Sequence, residues 1–446
     1  MTPQCHLSFS LLVLLTLLVT GCADFRALKQ DLRYIEAVNK EYQPLHGVIQ
    51  ANKHPDSPVV IVLMQNKQAE EVLGYRVVEK PGVFEYRAKV TPSYIFAFSD
   101  INNDLTLQPF EPYGWYQLNL DEFGNPLSSK GIHITLLPAE NNPTPPPELL
   151  TRIENTKLSY IAGIEVNMGT ISDLGAPIFS PEQAHKGLWS PMSFIWDGGA
   201  GIHFMQAYDP TKTPVLYVHG IDDSPLSFKY LIDNLNTEKY QPWVLYYASG
   251  FRLGIQSKGL YNFMSTLKTR YGIKDLHLVA HSMGGLLVRG YLNQCTEQNS
   301  CNYIRSFTSI STPWEGHKAA KMGVDYSPAV IPVWLDMNPT SDYLSELFDT
   351  PLPNRVPHHL LFGIKQQGVI GFESNDGSVA LSSVLSYAAQ EQAIEVSGFN
   401  EGHVSILRNK RVLDKLHSIF NENDQKQRPK KGTPQQPSLT HTQRRQ

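Results

Sequence analysis

Ser282 is the residue of this 446-residue chain whose surroundings best fit a chemical role. Leu276, Leu278 and Ala280 alternate with their neighbours as a short buried strand does. Apolar residues at helical spacing begin after Gly284. A serine on so tight a strand-to-helix turn is held out of the sheet, and small residues on both sides let the helix pass close to the strand. Its hydroxyl could act as a nucleophile if a base took its proton, whereas a structural turn with an idle serine is the alternative.

The segment from Ala280 to Gly284, AHSMG, resembles the nucleophile elbow G-x-S-x-G of the α/β-hydrolase family, in particular of its lipases and esterases. Ala280 replaces the first glycine with the next smallest side chain. The resemblance extends over about residues 185–415. It implies an α/β-hydrolase domain with a mostly parallel sheet.

The same resemblance assigns the groups that would stabilise negative charge on a substrate carbonyl oxygen. An apolar run at 213–218 ends in His219 and Gly220. In this family that dipeptide precedes the loop that supplies one oxyanion donor, and the residue after the nucleophile supplies the other. The donors would then be the backbone N–H groups of Ile221 and Met283. His219 itself is expected to be structural.

A base and an orienting acid must complete such a mechanism, and in this family they follow the nucleophile in the order acid, histidine. Asp376 lies on a polar turn after a strand-like run and fits the acid, with a simple Asp-Gly turn as the alternative. His403 lies on a loop before the last predicted helix and fits the base. His358 and His359 are the competitors, but they precede the acid. His281, beside the serine, faces the wrong way to reach its hydroxyl.

Together these residues predict a serine hydrolase that cleaves carboxylic esters through an acyl-enzyme, like a lipase or esterase, with no cofactor and no metal. An acyltransferase would use the same residues, with an alcohol in place of water in the second step. A membrane-tethered binding module without turnover is the alternative from another class, since a fold alone never guarantees activity. A formal net charge of -4 argues against a general nucleic-acid binder.

The first residues predict export and a lipid anchor. Leu11 to Val19 is almost continuously apolar and has the length of a signal-peptide core, too short to span a bilayer comfortably. The stretch VTGC that ends in Cys22 resembles the lipobox of bacterial lipoproteins, in which the chain is cut before the cysteine and the thiol carries the lipid. The protein would then be lipid-anchored in the bacterial cell envelope, at the outer membrane or the periplasmic face of the inner membrane. An uncleaved apolar anchor is the alternative.

Two cysteines, Cys295 and Cys301, remain in the mature chain if Cys5 leaves with the signal and Cys22 is lipidated. An oxidising compartment lets such a close pair form a disulfide. Two free thiols are the alternative, whereas a zinc site would need two more soft ligands nearby.

Composition and periodicity divide the rest of the chain into regions. The expected regions are a signal peptide at 1–21, a lipidated N-terminal helix at 22–45, a small β-sandwich-like domain at 46–137, a Pro-rich linker at 138–148, the catalytic domain at 149–420 and a disordered basic tail at 421–446. The β-sandwich-like region resembles the prealbumin-like domains found beside catalytic domains in exported proteins.

A long excursion at 314–354 contains several apolar residues, among them Tyr326, Ile331 and Trp334. Long connections with exposed apolar residues are usually functional, often as a lid over the site. Packed core is the alternative interpretation. If the segment is a lid, the substrate has an apolar chain.

One turn of the β-domain carries oxygen donors at the spacing of a calcium loop, namely Asp100, Asn102, Asp104 and Glu111. Leu105 occupies the position where such a loop needs glycine. A polar turn between strands is therefore the preferred interpretation, with a bound cation as the alternative.

Overall fold

The structure is a computed structural model, and it describes residues 23–37, 40, 42–64, 72–89, 94–119, 128, 130–142, 166–353, 356–365 and 374–426. The expected signal peptide, Cys22, most of the Pro-rich linker and the tail beyond residue 426 lie outside these ranges. Among the helices in the described ranges, none combines the length and the apolar character needed to cross a membrane.

The first element in the described ranges is a helix, α1, at residues 23–37. Leu28 on this helix is fully buried in the core of the catalytic domain. The Asp31 carboxylate accepts hydrogen bonds from the backbone N–H groups of Met192 (3.0 Å) and Ser193 (3.3 Å). These N–H groups open a helix and have no partner within it, so Asp31 caps that helix from a distant part of the chain. The N-terminal helix is therefore part of the catalytic domain rather than a free spacer.

Within the described ranges, seven short strands form the small domain that follows α1. They are β1 (Tyr42–Ala51), β2 (Val59–Met64), β3 (Val72–Val78), β4 (Val83–Lys89), β5 (Tyr94–Ser99), β6 (Tyr113–Gln117) and β7 (Ile132–Leu136). They make two sheets, in the orders β4-β1-β7 and β3-β2-β5-β6, and all neighbours are antiparallel except β1 and β7.

The two small sheets pack face to face. Alternate residues of β7 point inward, and Ile132 and Ile134 share one buried cluster with Val59 and Ile61 of the other sheet. This period of two is what a strand with one buried face requires. The predicted small β-domain is thus confirmed as a pair of packed sheets.

Eight strands form the sheet of the catalytic domain. They are β8 (Asn167–Ile171), β9 (Gly201–Phe204), β10 (Thr213–Val218), β11 (Tyr240–Tyr246), β12 (Leu276–His281), β13 (Ile304–Ile310), β14 (His358–Gly363) and β15 (Ala393–Phe399). Their order is β15-β14-β13-β12-β10-β11-β9-β8, and every neighbouring pair is parallel except β11 and β9.

The helices of the catalytic domain lie on both faces of this sheet. They are α2 (Pro181–Trp189), α3 (Pro191–Trp196), α4 (Lys229–Asp233), α5 (Leu253–Tyr271), α6 (Met283–Glu297), α7 (Lys318–Tyr326), α8 (Pro332–Met337), α9 (Asp342–Glu346), α10 (Leu381–Val384), α11 (Tyr387–Gln392) and α12 (Lys410–Lys426). Along β10, Leu216 and Val218 enter the core under α5 and α6, whereas Val215 and Tyr217 enter the core under α4 and α12. Because both faces are covered, the central strands β11 and β12 are buried at every residue.

The expected helical region does not extend to 45, because strand β1 begins at Tyr42. Two further expected boundaries move. Helix α12 runs to Lys426, so the tail does not begin at 421. Asn423 is buried in this last turn, and Asp424 accepts a hydrogen bond from the Tyr240 hydroxyl (2.9 Å). At the other boundary, the Asn142 side chain donates to the carbonyl oxygen of Leu137 (2.8 Å), so the β-domain continues past 137 into the expected linker.

Candidate active site

The turn between β12 and α6 places Ser282 against a cleft. Ser282 has a φ of 54°, in the left-handed region that a non-glycine residue occupies only under constraint. A Cβ on Gly284 would lie 2.5 Å from the carbonyl oxygen of Val218, and one on Gly285 would overlap the Thr312 side chain. Helix α6 therefore passes so close to the neighbouring strands that only glycine fits at positions 284 and 285.

The three residues predicted to act together do lie together. Nε2 of His403 is 2.9 Å from Oγ of Ser282. Nδ1 of the same ring is 2.7 Å from Oδ2 of Asp376. Ser282 follows β12, Asp376 follows β14 and His403 follows β15. All three residues therefore lie at the same edge of the sheet, beyond the carboxyl ends of parallel strands.

Asp376 is 2% exposed and is bonded at both carboxylate oxygens. Oδ1 accepts from the backbone N–H groups of Ser378 (3.0 Å) and Val379 (2.8 Å), while Oδ2 faces His403. Burial acts to raise the pKa of this carboxyl, but the hydrogen bonds from His403 and from the two backbone groups outweigh it, so the pKa is lowered. The Asp-Gly turn is present as well, but it serves to hold a carboxylate beside the imidazole.

His281 takes no part in a contact with the serine hydroxyl, as expected, yet it is part of the site. Its Nε2 donates to the backbone carbonyl oxygen of His403 over 2.8 Å, and the two rings are 4.7 Å apart. Burial, and then the neighbouring His403, lower the pKa of His281 to about 4. The ring is thus neutral over most of the pH range and braces the loop that carries His403.

The expected oxyanion region lies beside Ser282, because a Cβ on Gly220 would lie 3.1 Å from Cβ of Ser282. His219 stacks on Tyr247 with ring centroids 4.2 Å apart, and burial lowers the pKa of His219 to about 4. Ile221 lines the cleft in front of Ser282. The Met283 side chain is buried in the core, so only the backbone of Met283 can serve the cleft.

The two competing histidines have structural roles on β14. The His358 ring bonds the Ser309 hydroxyl (2.8 Å), stacks on a buried phenylalanine, and has a pKa that burial lowers to about 3. The His359 ring pairs with the Glu395 carboxylate (3.3 Å). Neither lines the cleft beside Ser282.

The cleft at Ser282 has a volume of about 410 Å³. Its lining consists of Gly220, Ile221, Asp222, Asp223, His281, Ser282, Pro313, His317, Ala319, Ala320, Trp334, Met337, Ser378, Val379, His403 and Val404. Sequence reasoning missed Asp222 and His317 in this set, whereas Trp334 belongs to the segment that was interpreted as a possible lid. Asp222 directly follows the predicted oxyanion loop residue, so its position along the chain was the available signal.

The excursion at 314–354 covers one side of the cleft through α7 and α8, here called the cap. Ile331 and Val333 are fully buried in the core, as the packed-core interpretation predicts. Met322 and Tyr326 on α7 are 62% and 81% exposed, which packed core does not explain. His317 ties the start of α7 to the loop that carries the acid, because its Nε2 bonds the carbonyl oxygen of Ser378 (3.0 Å).

The expected disulfide is present. Cys295 at the end of α6 and Cys301 are joined, with their Cα atoms 5.3 Å apart. The bond closes the connection from α6 to β13. It therefore constrains the end of α6 that is far from Ser282, and not the cleft.

The turn that resembled a calcium loop uses its carboxylates on its own backbone. Asp100 accepts from the N–H of Leu105 (3.1 Å), and Glu111 accepts from the N–H groups of Ile101 (2.7 Å) and Gln108 (2.9 Å). Leu105 has a φ of 61°, the conformation for which glycine was expected. Within the described ranges, no group of three His, Cys, Asp or Glu side chains could hold a metal ion. The turn interpretation accounts for these contacts without a cation.

Residues 252–423, less than half of the chain, match a family model described as "Alpha/beta hydrolase of unknown function (DUF915)". The matched segment includes Ser282, Asp376 and His403, but not the strand that precedes Ile221. No curated protein matches the sequence. The sheet described above and this match confirm the predicted fold class, an α/β-hydrolase domain with a mostly parallel sheet preceded by a small β-domain.

Solved structures similar to this chain align with about half of it. The mature form of Bacillus licheniformis lipase BlEst2 is 16% identical, covering 48% of this chain and 94% of its own, with a TM-score of 0.38. The lin2722 gene product of Listeria innocua is 16% identical, covering 47% and 94%, with a TM-score of 0.36. A thermophilic esterase from Thermogutta terrifontis is 14% identical, covering 50% and 93%, with a TM-score of 0.36.

Proposed function

We propose that this protein is a serine hydrolase of carboxylic esters, of the lipase or esterase type, that works through an acyl-enzyme. The observation that carries the proposal is the unbroken hydrogen-bonded path from Asp376 through His403 to Ser282, with steps of 2.7 and 2.9 Å. The path ends on a constrained turn at the floor of a cleft. An acyl-transfer site requires a nucleophile, a base and an orienting acid within hydrogen-bonding distance of one another, beside a cleft that admits the substrate.

In the first step, Oγ of Ser282 attacks the ester carbonyl carbon while Nε2 of His403 takes the hydroxyl proton. The carbonyl electrons move onto the carbonyl oxygen. Asp376 holds the Nδ1–H and stabilises the imidazolium that forms. Its lowered pKa keeps the carboxylate ionised at neutral pH, which this role requires.

The negative charge on the carbonyl oxygen would be held by the backbone N–H groups of Ile221 and Met283. Gly220 supports this assignment, because a Cβ there would lie 3.1 Å from Cβ of Ser282 and would crowd the space in front of the serine. Such donors act on charge that appears only in the transition state, and losing one typically costs roughly 10²–10³ in kcat.

The second half of the cycle reuses the same groups. His403 gives its proton to the departing alkoxide, the C–O ester bond breaks, and the acyl group stays on Ser282 as an ester. A water molecule then loses a proton to His403 and attacks the acyl carbon. The carboxylic acid leaves and the serine recovers its proton.

The address is also a proposal, namely a lipid anchor at Cys22 in the bacterial cell envelope. Its support is the apolar run from Leu11 to Val19 and the lipobox-like stretch that ends in Cys22. A Cys22→Ser chain is expected to lose both radiolabelled fatty acid and its place in the membrane fraction. Incorporation that survives this substitution would remove the anchor.

An ester panel with an active-site probe tests the activity. Purified protein is expected to hydrolyse p-nitrophenyl esters and to be labelled by a fluorophosphonate, and Ser282→Ala is expected to lose both. Ser418→Ala, on the exposed face of α12, is the matched control and should behave as the unaltered chain. Label or turnover that persists in Ser282→Ala, with an unchanged melting temperature, would refute the proposed nucleophile.

A further inference from the structure

The N-terminal helix brings Asp24 close to the mouth of the cleft, and an exposed apolar surface borders that mouth. From these two observations we infer that the cleft opens onto the same lipid bilayer that holds the N-terminal segment. The substrate would then be an acyl ester of that membrane. This inference rests on the proposed esterase activity and on the proposed anchor.

The first path from the N-terminus to the cleft is polar. The ring of His185 lies between the carboxylates of Asp24 (3.3 Å) and Asp222 (3.4 Å). Asp222 lines the cleft next to Ile221. Asp24 follows Cys22 by two residues, so the Cα atoms of the two are at most about 8 Å apart. An anchor at Cys22 therefore places the membrane beside this edge of the cleft.

The second path is aromatic and independent of the first. Phe25 on α1 packs against Trp189 on α2, with ring centroids 5.0 Å apart, and Trp189 packs against Trp334 on α8 at 6.1 Å. Trp334 lines the cleft, and a Cβ on Gly323 of α7 would overlap its ring. Helix α1, α2 and the cap therefore form one continuous wall from the N-terminus to the cleft.

An apolar rim stands on this wall, defined as Met322, Tyr326 and Leu335. Met322 and Tyr326 are one turn apart, so they share one face of α7. They are 62% and 81% exposed, and Leu335 on α8 is 40% exposed. Ala319 and Ala320 of α7 line the cleft, so the apolar rim borders the mouth of the cleft. Exposed apolar side chains grouped beside a cleft mark an interaction site.

The bilayer is the occupant that the geometry favours over a soluble protein. An anchored chain keeps the bilayer within reach of the rim at all times, so its effective concentration exceeds that of any free partner. Tyr326 also suits the headgroup layer, where tyrosine is enriched in membrane proteins because its ring is apolar and its hydroxyl polar. An acyl ester of the bilayer could then enter the cleft without crossing water.

Site-specific quenching tests the orientation without requiring activity. A solvent-sensitive fluorophore is attached at Tyr326→Cys in the full chain carrying Cys5→Ser and Ser282→Ala, reconstituted in phosphatidylethanolamine and phosphatidylglycerol vesicles with brominated acyl chains. The matched control is Tyr387→Cys, a tyrosine 77% exposed on α11. The chain without either added cysteine supplies the background. Quenching several-fold stronger at 326 than at 387 is expected, and equal or weaker quenching at 326 overturns the inference.

The consequence for the substrate is tested on the active chain. Met322→Glu combined with Tyr326→Glu is expected to lower hydrolysis of a long-chain ester held in the vesicles by about tenfold or more, because both apolar contacts with lipid are lost. The control pair is Tyr387→Glu with Ile394→Glu, also exposed apolar residues. Equal losses in the two pairs overturn the inference. If the unaltered chain hydrolyses no ester, the proposed function fails, whereas the quenching result still decides the orientation.

Discussion

At the scale of single residues, the proposed base, His403, is held through both its ring and its backbone. The ring of His403 contacts both Ser282 and Asp376, its backbone N–H donates to the carbonyl oxygen of Asp376 (2.8 Å), and its own carbonyl accepts from His281. A catalytic group held in this way loses little conformational freedom when substrate binds, which favours the transition state. The two neighbours hold different parts of His403, because Asp376 contacts its ring and His281 contacts its backbone carbonyl oxygen.

The first prediction concerns the acid. Asp376→Asn is expected to lower kcat for a soluble ester by roughly 10⁴, because an amide can hold the imidazole in the wrong tautomer and cannot stabilise the imidazolium. KM and the melting temperature should change little, since the side chain keeps its shape. Steady-state kinetics with p-nitrophenyl esters measure the effect. A kcat within a factor of a few of the unaltered enzyme would exclude Asp376 as the acid.

The second prediction concerns His281. His281→Ala removes the donor to the His403 carbonyl, and losing one hydrogen bond of this kind is expected to lower kcat by about tenfold. His281→Gln can still donate and should recover part of the loss. Since His281 is already neutral, with a pKa of about 4, the pH dependence of kcat between 5 and 8 should keep its shape in both variants. An Ala variant with full kcat, or one that lowers only the melting temperature, would limit His281 to a structural role.

The contacts that join Ser282, Asp376 and His403 could be predicted from the sequence, and the contact of His281 with the His403 backbone could not. Ser282 stands in a local pattern, and Asp376 and His403 follow it in an order that the resembled family shares. His281 also stands in that pattern, but its partner is a backbone carbonyl 122 residues away. No local spacing encodes that contact, because it depends on how two strand ends meet.

At the scale of elements, the close passage of α6 against the sheet depends on glycine. Gly284→Ala is expected to lower the melting temperature and the activity, because its Cβ would meet the Val218 carbonyl at 2.5 Å. The control is Gly259→Ala in the middle of α5, where a Cβ meets nothing within 4 Å. There alanine should stabilise the helix by roughly 0.5–1 kcal/mol. Thermal unfolding measures both shifts, and shifts of the same sign would contradict this account of the elbow.

The turn at 100–111 predicts a pH dependence for the β-domain. Burial raises the pKa of Asp100 to about 6 and that of Glu111 to about 7. Both values lie above the ordinary ones, so the folded state binds more protons than the unfolded state between about pH 4 and pH 7. The contribution of these two carboxyl groups to the free energy of unfolding is fully present below their ordinary pKa values. It is lost as the pH rises through the raised pKa values of about 6 and about 7.

Calorimetry should therefore give a β-domain transition that falls by several degrees from pH 5 to pH 8. At about 4–8 °C per kcal/mol for a small domain, a loss of 1 kcal/mol is already measurable. Glu111→Gln should flatten this dependence. A transition that rises with pH contradicts the prediction. Calcium that raises the transition at pH 8 would instead assign the turn to a bound cation.

The strands and helix α6 could be predicted because the sequence patterns that indicate them are local. The end of α12 could not be predicted in this way. Its last turn reads as polar tail, but Asn423 contacts His359 (3.3 Å) and Asp424 contacts Tyr240 (2.9 Å). Polar residues become helical here because they satisfy buried polar groups on distant strands. Composition alone assigned them to solvent.

At the scale of the whole molecule, the β-domain is attached to the catalytic domain through α5. The Lys268 ammonium on α5 pairs with the Glu79 carboxylate over 2.6 Å, and the two side chains are 24% and 13% exposed. Arg270 donates to the Tyr75 hydroxyl at 3.4 Å nearby. Burial raises the pKa of Glu79, which Lys268 opposes, so the carboxylate depends on this lysine for its charge. The two domains are therefore coupled by a partly buried pair rather than by apolar packing alone.

The last prediction tests that coupling. Lys268→Met leaves the Glu79 carboxylate partly buried without its partner and is expected to cost on the order of 1–3 kcal/mol, less than for a fully buried pair. Lys268→Met combined with Glu79→Gln should recover part of this loss, because no unpaired charge remains. The control is Lys258→Met, whose partner Glu85 is 3.8 Å away and whose pair is about half exposed. Its cost should stay below about 1 kcal/mol, as for other exposed pairs. Calorimetric midpoints of the β-domain transition measure the cycle, and strictly additive losses would mean that the pair does not couple the domains.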